Sequence, residues 1–421
     1  MNETAAGKKK NLWLSRLLSS DRWSGITVPV LCIIFTLIVS SILLIALGKN
    51  PVTGFLAFLQ GSGFLPKPTY GAGQGMLSDL FSFLGMLAPM ILSALAFVAG
   101  FKAGLFNIGI SGQMLASGFL ATVLIGYADM SPWLSRPLVI LVGILVGTLL
   151  GAFVGFLKYK FNIHEVVSTI MINYIIQYLC AFFINTYYMN PVIRSTRYIS
   201  KDARLTLMNL SLGDIKINFP IGIIIALIAA PLLKFLFDRT RTGLEIKAVG
   251  SNNKAACYAG IGVGRRMVLA MALSGMMAGL AGVCYYCGYY NTIAPNILPS
   301  MGYDGITVAL LGNSSPVGCI FAGGLVSIFS FGSNYMSSTL GVPKEIASLI
   351  TGILLLFSAC GAYFQYMASR RIQKQEEEED LEARAAKAAS EEAAAKVAAP
   401  DAASKAASDA DSDTMTGGNH G

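Results

Sequence analysis

Charge is what this 421-residue chain has least of. Asp, Glu, Lys and Arg make up 13% of it and hydrophobic residues 54%, whereas a soluble globular domain is about 25% charged. With a mean hydropathy of +0.61, that excludes an ordinary water-soluble fold and indicates an all-α polytopic membrane protein. Histidine is nearly missing: His164 and His420 are the two, no group of residues has metal-ligand spacing, and no metal site is expected. No G-x-x-x-x-G-K-[ST] occurs, so the chain lacks a phosphate-cradling loop and hydrolyses nothing by that route. The glycines of GIGVGRR after Ala259 have neither the preceding strand nor the downstream acid of a dinucleotide site. No nucleophile comes with a base, so no catalytic residue is expected. Seven cysteines make no disulfide framework. Cys32, Cys180 and Cys360 lie in apolar spans as small hydrophobes, and the CxxC of Cys284 and Cys287 has no second pair, which favours packing.

Acidic groups deep inside the spans are missing too. Asp79, Glu165, Asp304 and Glu345 all fall near predicted span ends, leaving no relay of the kind that proton- or sodium-coupled transporters need. The net charge of +8 does not argue for nucleic acid, because the cations flank hydrophobic segments, where they orient the chain.

What is present is a series of apolar runs. A basic arm, residues 1–25, precedes the first span, Ile26–Leu47, which is too long for the h-region of a cleavable signal. A Gly- and Pro-rich segment follows, with an apolar stretch Phe55–Leu59 expected at the surface. The second span, Leu80–Phe101, contains Pro89, which should kink it. KAGLFNIGISGQ, residues 102–113, then breaks the hydrophobicity. The next run, Met114–Tyr127, is short and spans only if Leu105–Ile110 joins it as a broken helix. In Leu138–Leu157, glycines at 143, 147, 151 and 155 form a stripe on one helix face where another backbone can approach closely. Val166–Asn185 follows, then a loop, Thr186–Asn218, expected outside despite five cations. Runs at Phe219–Phe237 and Met267–Tyr285, a half-length one at Gly302–Leu311, Pro316–Phe331 and Ile346–Tyr366 complete roughly ten crossings. Lys8–Lys10 and Arg370–Arg371 place both termini in the cytoplasm. The membrane domain is thus residues 26–366. The tail, 367–421, is Ala-rich, acidic and without aromatics after Tyr366, and is expected to be largely disordered.

The chain is organised around one polar stretch, Asp238–Arg266 (DRTRTGLEIKAVGSNNKAACYAGIGVGRR). Arg239, Arg241, Lys247, Lys254, Arg265 and Arg266 oppose only Asp238 and Glu245, so it lies outside the hydrocarbon, on the cytoplasmic side. Ser251–Gly260 has the composition of a short helix, with Ser251 or Asn252 as N-cap and Gly260 just past its end. Such a helix either docks a soluble partner or merely connects two spans.

RTRTGLEIKAVGSNNKAACYAGI resembles the cytoplasmic coupling loop of bacterial ABC importer permeases, in the branch that handles branched-chain amino acids, simple sugars and nucleosides. Three further stretches agree. GLFNIGISGQM is similar to the GLFNIG-x-EGQ of nucleoside-type permeases, except that Ser111 stands where glutamate is usual; NIHEVVSTIMINYI and MGYDGITVALLGNSSPVG match two other family motifs. The resemblance implies a permease subunit of an ATP-driven importer in a bacterial plasma membrane, nucleosides being the expected solute. Simple sugars or branched-chain amino acids are the alternative, and an ion-coupled transporter the reading from a different class. It also implies partners: an ABC ATPase, which uses the ATP so that this chain binds no cofactor, a second homologous permease, an extracytoplasmic solute-binding (lipo)protein and membrane lipid. Glu245, Gly250, Ala255, Ala256, Gly260 and Ile261 would couple to the ATPase. Asn107, Ser111, Gln113, Glu165, Ser168 and Asn173 would line the solute pathway. Uncharged amides suit a hydrogen-bonding neutral solute, but they equally suit bonds between helices or caps on broken helix ends.

Overall fold

The computed structural model describes residues 24–360 except 72, 73, 129, 213 and 214, with scattered positions between 363 and 388. Gly25–Gly361 forms one compact unit. The basic arm and most of the acidic tail lie outside the described residues.

The large unit is a helical membrane domain. Its helices are α1 (Ser24–Ala46), α2 (Pro51–Gly61), α3 (Met76–Phe101), α4 (Ile110–Ala121), α5 (Pro132–Phe161), α6 (Glu165–Phe183), α7 (Ile221–Arg239), α8 (Arg241–Ser251), α9 (Asn253–Tyr258), α10 (Val263–Val283), α11 (Met301–Leu311), α12 (Pro316–Leu340) and α13 (Lys344–Ala359). Three of them widen at the same end of the bundle into π-helical turns: α4 at Thr122–Gly126, α6 at Ile184–Tyr188 and α10 at Cys284–Tyr290. Among the described residues six helices are long and apolar enough to cross a membrane, seven with α1 and α2 taken as one span bent by 115°. Ile110–Gly126 and Met301–Leu311 are shorter apolar helices and α13 has 16 residues; the hydropathy reading counts these three segments among its roughly ten crossings, whereas a full crossing needs about 20 residues. α3 and α10 are central, each 78% buried across its apolar window, whereas α5 is 33% buried.

Several boundaries moved. Phe55–Leu59, expected as a surface stretch, belongs to α2, which Asn50 caps by accepting from the Val52 N–H at 2.9 Å and Pro51 starts. That helix buries Phe58 against Phe329, with ring centroids 5.1 Å apart. α3 runs through Pro89 as one helix. The loop after α6 contains an antiparallel hairpin, β1 (Thr206–Leu212) and β2 (Ile215–Pro220), with Leu212 opposite Ile215 and a register irregularity between Leu207 and Leu210. Its cause is plain in the sequence, where apolar and polar residues alternate on both sides of Gly213-Asp214. α7 separates this hairpin from the 238–266 loop, so the two lie at opposite ends of the domain.

The glycine stripe of α5 meets a second stripe. A Cβ on Gly147 would lie 2.1 Å from the Gly275 carbonyl oxygen and 2.8 Å from the Gly279 Cα; one on Gly151 would lie 2.1 Å from the Met271 oxygen. Reciprocally, a Cβ on Gly279 would lie 2.0 Å from the Gly143 carbonyl oxygen. α5 and α10 therefore touch backbone to backbone, which in lipid supplies dispersion contact that larger residues would prevent. Among the described residues this is the most extensive pairing of two helices.

Candidate functional site

The site begins where α3 stops. Gly104, in the left-handed region at φ +71°, closes the helix: the Gly104 N–H donates to Phe101 O at 2.9 Å and the Leu105 N–H to Gly100 O at 3.2 Å. This is a Schellman-type end, which favours glycine. Residues 105–109 then run without helical bonding until α4 begins at Ile110. Non-helical backbone at membrane depth is tolerated only beside protein or water, and here protein supplies the partners. The Asn107 Oδ1 accepts from the Gly109 N–H at 2.9 Å, while its Nδ2 donates to Gln113 Oε1 at 3.1 Å and to Ser274 Oγ on α10 at 2.8 Å. Ser274 in turn donates to Ala96 O at 2.6 Å.

Gly109, the N-cap of α4, has no side chain to cap with, and Asn173 on α6 supplies the cap from another helix. Its Oδ1 accepts from the Gly112 N–H at 2.8 Å, and its Nδ2 donates to Ile108 O at 3.0 Å and to the Tyr303 hydroxyl at 3.4 Å. Ser111 donates to Pro299 O at 2.9 Å and is packed against Gly302, where a Cβ would sit 2.6 Å from the Ser111 nitrogen. Asn107, Ser111 and Gln113 are fully buried and Asn173 is 2% exposed. The four polar groups predicted near the break are thus brought together, each facing protein in this conformation. Gln113 Nε2 is the one amide nitrogen among them without a hydrogen-bond partner.

Glu165 and Ser168 lie apart from that cluster, in the first turn of α6. Glu165 pairs with Lys158 at 2.9 Å across the α5–α6 turn, and Ser168 donates to His164 O at 3.3 Å. The rest of α6 presents an exposed face at membrane depth. Tyr174, Tyr178 and Met171 are all more than half exposed, and Gln177 donates to Asn296 O at 2.7 Å. Tyr303, bonded to Asn173, is 41% exposed beside it. The tyrosines give no signal in the composition, which counts them with the apolar residues. Their hydroxyls were the available signal.

The 238–266 stretch folds as two helices rather than one. Thr240 caps α8, accepting from the Gly243 N–H at 3.1 Å. Asn252 caps α9, accepting from Lys254 and Ala255 N–H at 3.0 and 3.1 Å. Gly260, at φ +78°, ends it: Gly260 N–H donates to Cys257 O and Ile261 N–H to Ala256 O, both at 3.0 Å. Glu245 holds the assembly in place, pairing with Arg241 at 2.8 Å and Arg266 at 2.5 Å. The hydrogen bond from Arg241, with Arg266 adding, keeps its carboxyl below the usual carboxylate range. A depressed carboxylate stabilises the folded loop at neutral pH and loses that contribution only as pH falls through the lowered value. Ala256 is buried at 3% exposure, so a bulky residue there would strain this chain first; Tyr258 is 94% exposed and Ala255 and Gly260 are open to solvent.

Gly250, the tenth residue of α8, joins the two parts of the site. A Cβ there would lie 2.3 Å from the Lys102 carbonyl oxygen and 2.9 Å from the Gly104 nitrogen. The end of α8 rests directly on the turn that opens the 105–109 break. No group of three or more metal-ligating side chains occurs among the described residues.

The family described as "Branched-chain amino acid transport system / permease component" matches residues 80–359. The nucleoside ABC transporter permease protein NupB of Lactococcus lactis subsp. cremoris is 33% identical over 81% of this chain and 92% of its own length. The guanosine ABC transporter permease protein NupP of Bacillus subtilis is 31% identical over 83% and 97%. A glucose ABC transporter permease protein, TsgB13 of Haloferax volcanii, is 26% identical over 82% and 89%.

Proposed function

The chain belongs to the branched-chain amino acid transport system permease family and is a multi-pass permease subunit of an ABC importer, and on that premise we propose that the solute it carries is a nucleoside. It is a transport protein and not an enzyme. Permeases of this family work with an ATPase and a solute-binding protein. In this reading ATP is bound and hydrolysed by the partner, the chain pairs with a second, similar permease, and both termini and the 238–266 loop are cytoplasmic.

The observation that carries the nucleoside reading is the uncharged aromatic and amide face formed by Tyr174, Gln177, Tyr178 and Tyr303 at membrane depth. Aromatic faces stack on a planar base, and hydroxyl and amide groups exchange hydrogen bonds with sugar and base without burying a charge. The names of NupB and NupP support it. Uptake competition in a strain lacking the native importer tests the reading. Nucleosides should displace a labelled nucleoside, uptake should survive an ionophore, and Tyr178→Ala should weaken uptake severalfold. Displacement by glucose or leucine alone would transfer the solute to another branch of the family, and collapse with an ionophore would point to ion coupling.

The reading also assigns the buried amides. Asn107 and Asn173 hold the 105–109 break in shape while α6 offers its outer face to the solute. Motion of the ATPase reaches that break through α9, α8 and the Gly250 contact on residues 102–104. Gly250→Ala forces backbone apart where no side chain can yield, at a cost of about 1–3 kcal/mol. Uptake should fall about tenfold, each tenfold being about 1.4 kcal/mol, while the ATPase still co-purifies. Wild-type uptake in Gly250→Ala would remove this contact from the transmission path.

A further inference from the structure

Away from that site, a cavity of about 590 Å³ lies between α1, α7, α12 and the turn that precedes α12. α1 leans on α13, where Cys32 Sγ donates to Phe357 O at 3.1 Å and Phe35 stacks on Phe357 at 5.7 Å. It stands off from α7 and α12, and the gap is the cavity. Its walls are mostly apolar, with Val30 and Ile33 from α1 and Phe321 and Leu325 from α12. They run out onto a side chain exposed in the membrane-spanning part of the bundle: Phe321 is 76% exposed. Its polar lining is Lys234, Asn313 and Ser315, and no acidic side chain lines it.

Lys234 is the telling residue. It is exposed, five residues before the end of the apolar helix Ile221–Arg239, where a cation pairs or reaches to the interface. Among the described residues no ion pair or hydrogen bond to Lys234 is present. The acid one turn on, Asp238, is engaged by Lys247 at 3.2 Å. A cation without a counter-charge, at the polar end of an apolar slot open to lipid, is complementary to a phosphate carried on acyl chains.

We propose that this cavity holds one anionic phospholipid. Its phosphate sits on Lys234 with Asn313 and Ser315 at the rim, and an acyl chain fills the slot along Val30, Phe321 and Leu325. A zwitterionic lipid brings its own cation and leaves the charge balance unchanged; a soluble anion gains nothing from the apolar walls. The site stands on this geometry alone, and only its assignment to the cytoplasmic leaflet rests on the orientation proposed above.

The test uses the whole importer in nanodiscs, with phosphatidylglycerol as the anionic probe and phosphatidylcholine as the neutral one. Phosphatidylglycerol should raise the thermal midpoint of the wild-type complex over phosphatidylcholine, and native mass spectrometry should find one tightly held phosphatidylglycerol per permease chain. Lys234→Gln should lose that retained lipid severalfold and abolish the thermal difference, whereas Lys201→Gln, a cation on the hairpin-side loop, should change neither. Equal stabilisation of the wild type by the two lipids overturns the proposal without needing any variant to fold. So does unchanged retention in Lys234→Gln, or a cross-link between two permease copies through residue 321. None of these readouts involves transport, so failure here leaves the solute reading standing.

Discussion

Gly147→Leu should leave almost no folded permease. The first carbon of the new side chain alone would sit 2.1 Å from the Gly275 carbonyl oxygen and 2.8 Å from the Gly279 Cα. An overpacked core ordinarily loses about 1–3 kcal/mol because neighbouring side chains rotate away. Here the neighbours are backbone, so the helices must separate, and the dispersion contact that holds them in lipid goes with the separation. Against a total stability of about 5–15 kcal/mol, that is a large fraction. Fluorescence-detected size exclusion of the tagged protein should show loss of the monodisperse peak, with Gly147→Ala intermediate. Leu149→Ala, on the outer face of the same helix at 68% exposure, should elute as wild type. A wild-type peak for Gly147→Leu with altered solute preference would show that the stripe serves selection and not packing.

Asn173→Leu should abolish uptake through the break in the membrane-spanning chain rather than through lost solute contact. Leucine removes the acceptor for the Gly112 N–H and the donor to Ile108 O. Each orphaned buried group costs about 1–3 kcal/mol, more than the roughly 0.6 kcal/mol that an average hydrogen bond contributes between membrane helices. The expected signature is a lowered thermal midpoint together with lost transport. Asn173→Asp, which keeps the acceptor and loses the donor, should fall between. Single cysteines separate this from the solute-lining alternative: with an impermeant thiol reagent, residues 174 and 178 should label and residues 107 and 113 should not. Labelling at 107 or 113 in either nucleotide state would return the amides to the water-filled path.

The membrane class, the order of the spans and the broken segment were legible because each is a local property of hydropathy and glycine placement. The caps of α9 were legible for the same reason: Asn252 before Lys254 and Gly260 after Tyr258 act on backbone groups two or three residues away. The direction in which a side chain faces was not. Ala256 carries the family pattern yet turns inward, while Tyr258 two residues on is bare; that depends on where α9 lies, which periodicity over six residues does not fix. The amides illustrate the same limit, since Asn107 and Asn173 find partners 167 and 65 positions away in sequence. The hairpin at 206–220 was legible in its alternation and was missed, because five cations between spans mark Thr186–Asn218 as a loop and a loop reading does not ask for strands.

The α5–α10 contact also limits how the chain can be repaired. Damage in a side-chain core is often reversed by a second change that trims a neighbour. Opposite Gly147 and Gly151 there is nothing to trim: the facing positions include Gly275 and Gly279, already the smallest residue, and the colliding atoms are main-chain oxygens. Intragenic suppressors of an enlarged residue at 147 or 151 should therefore be absent from α10. Recovery at these positions would come only by reversion to glycine, or to alanine in part.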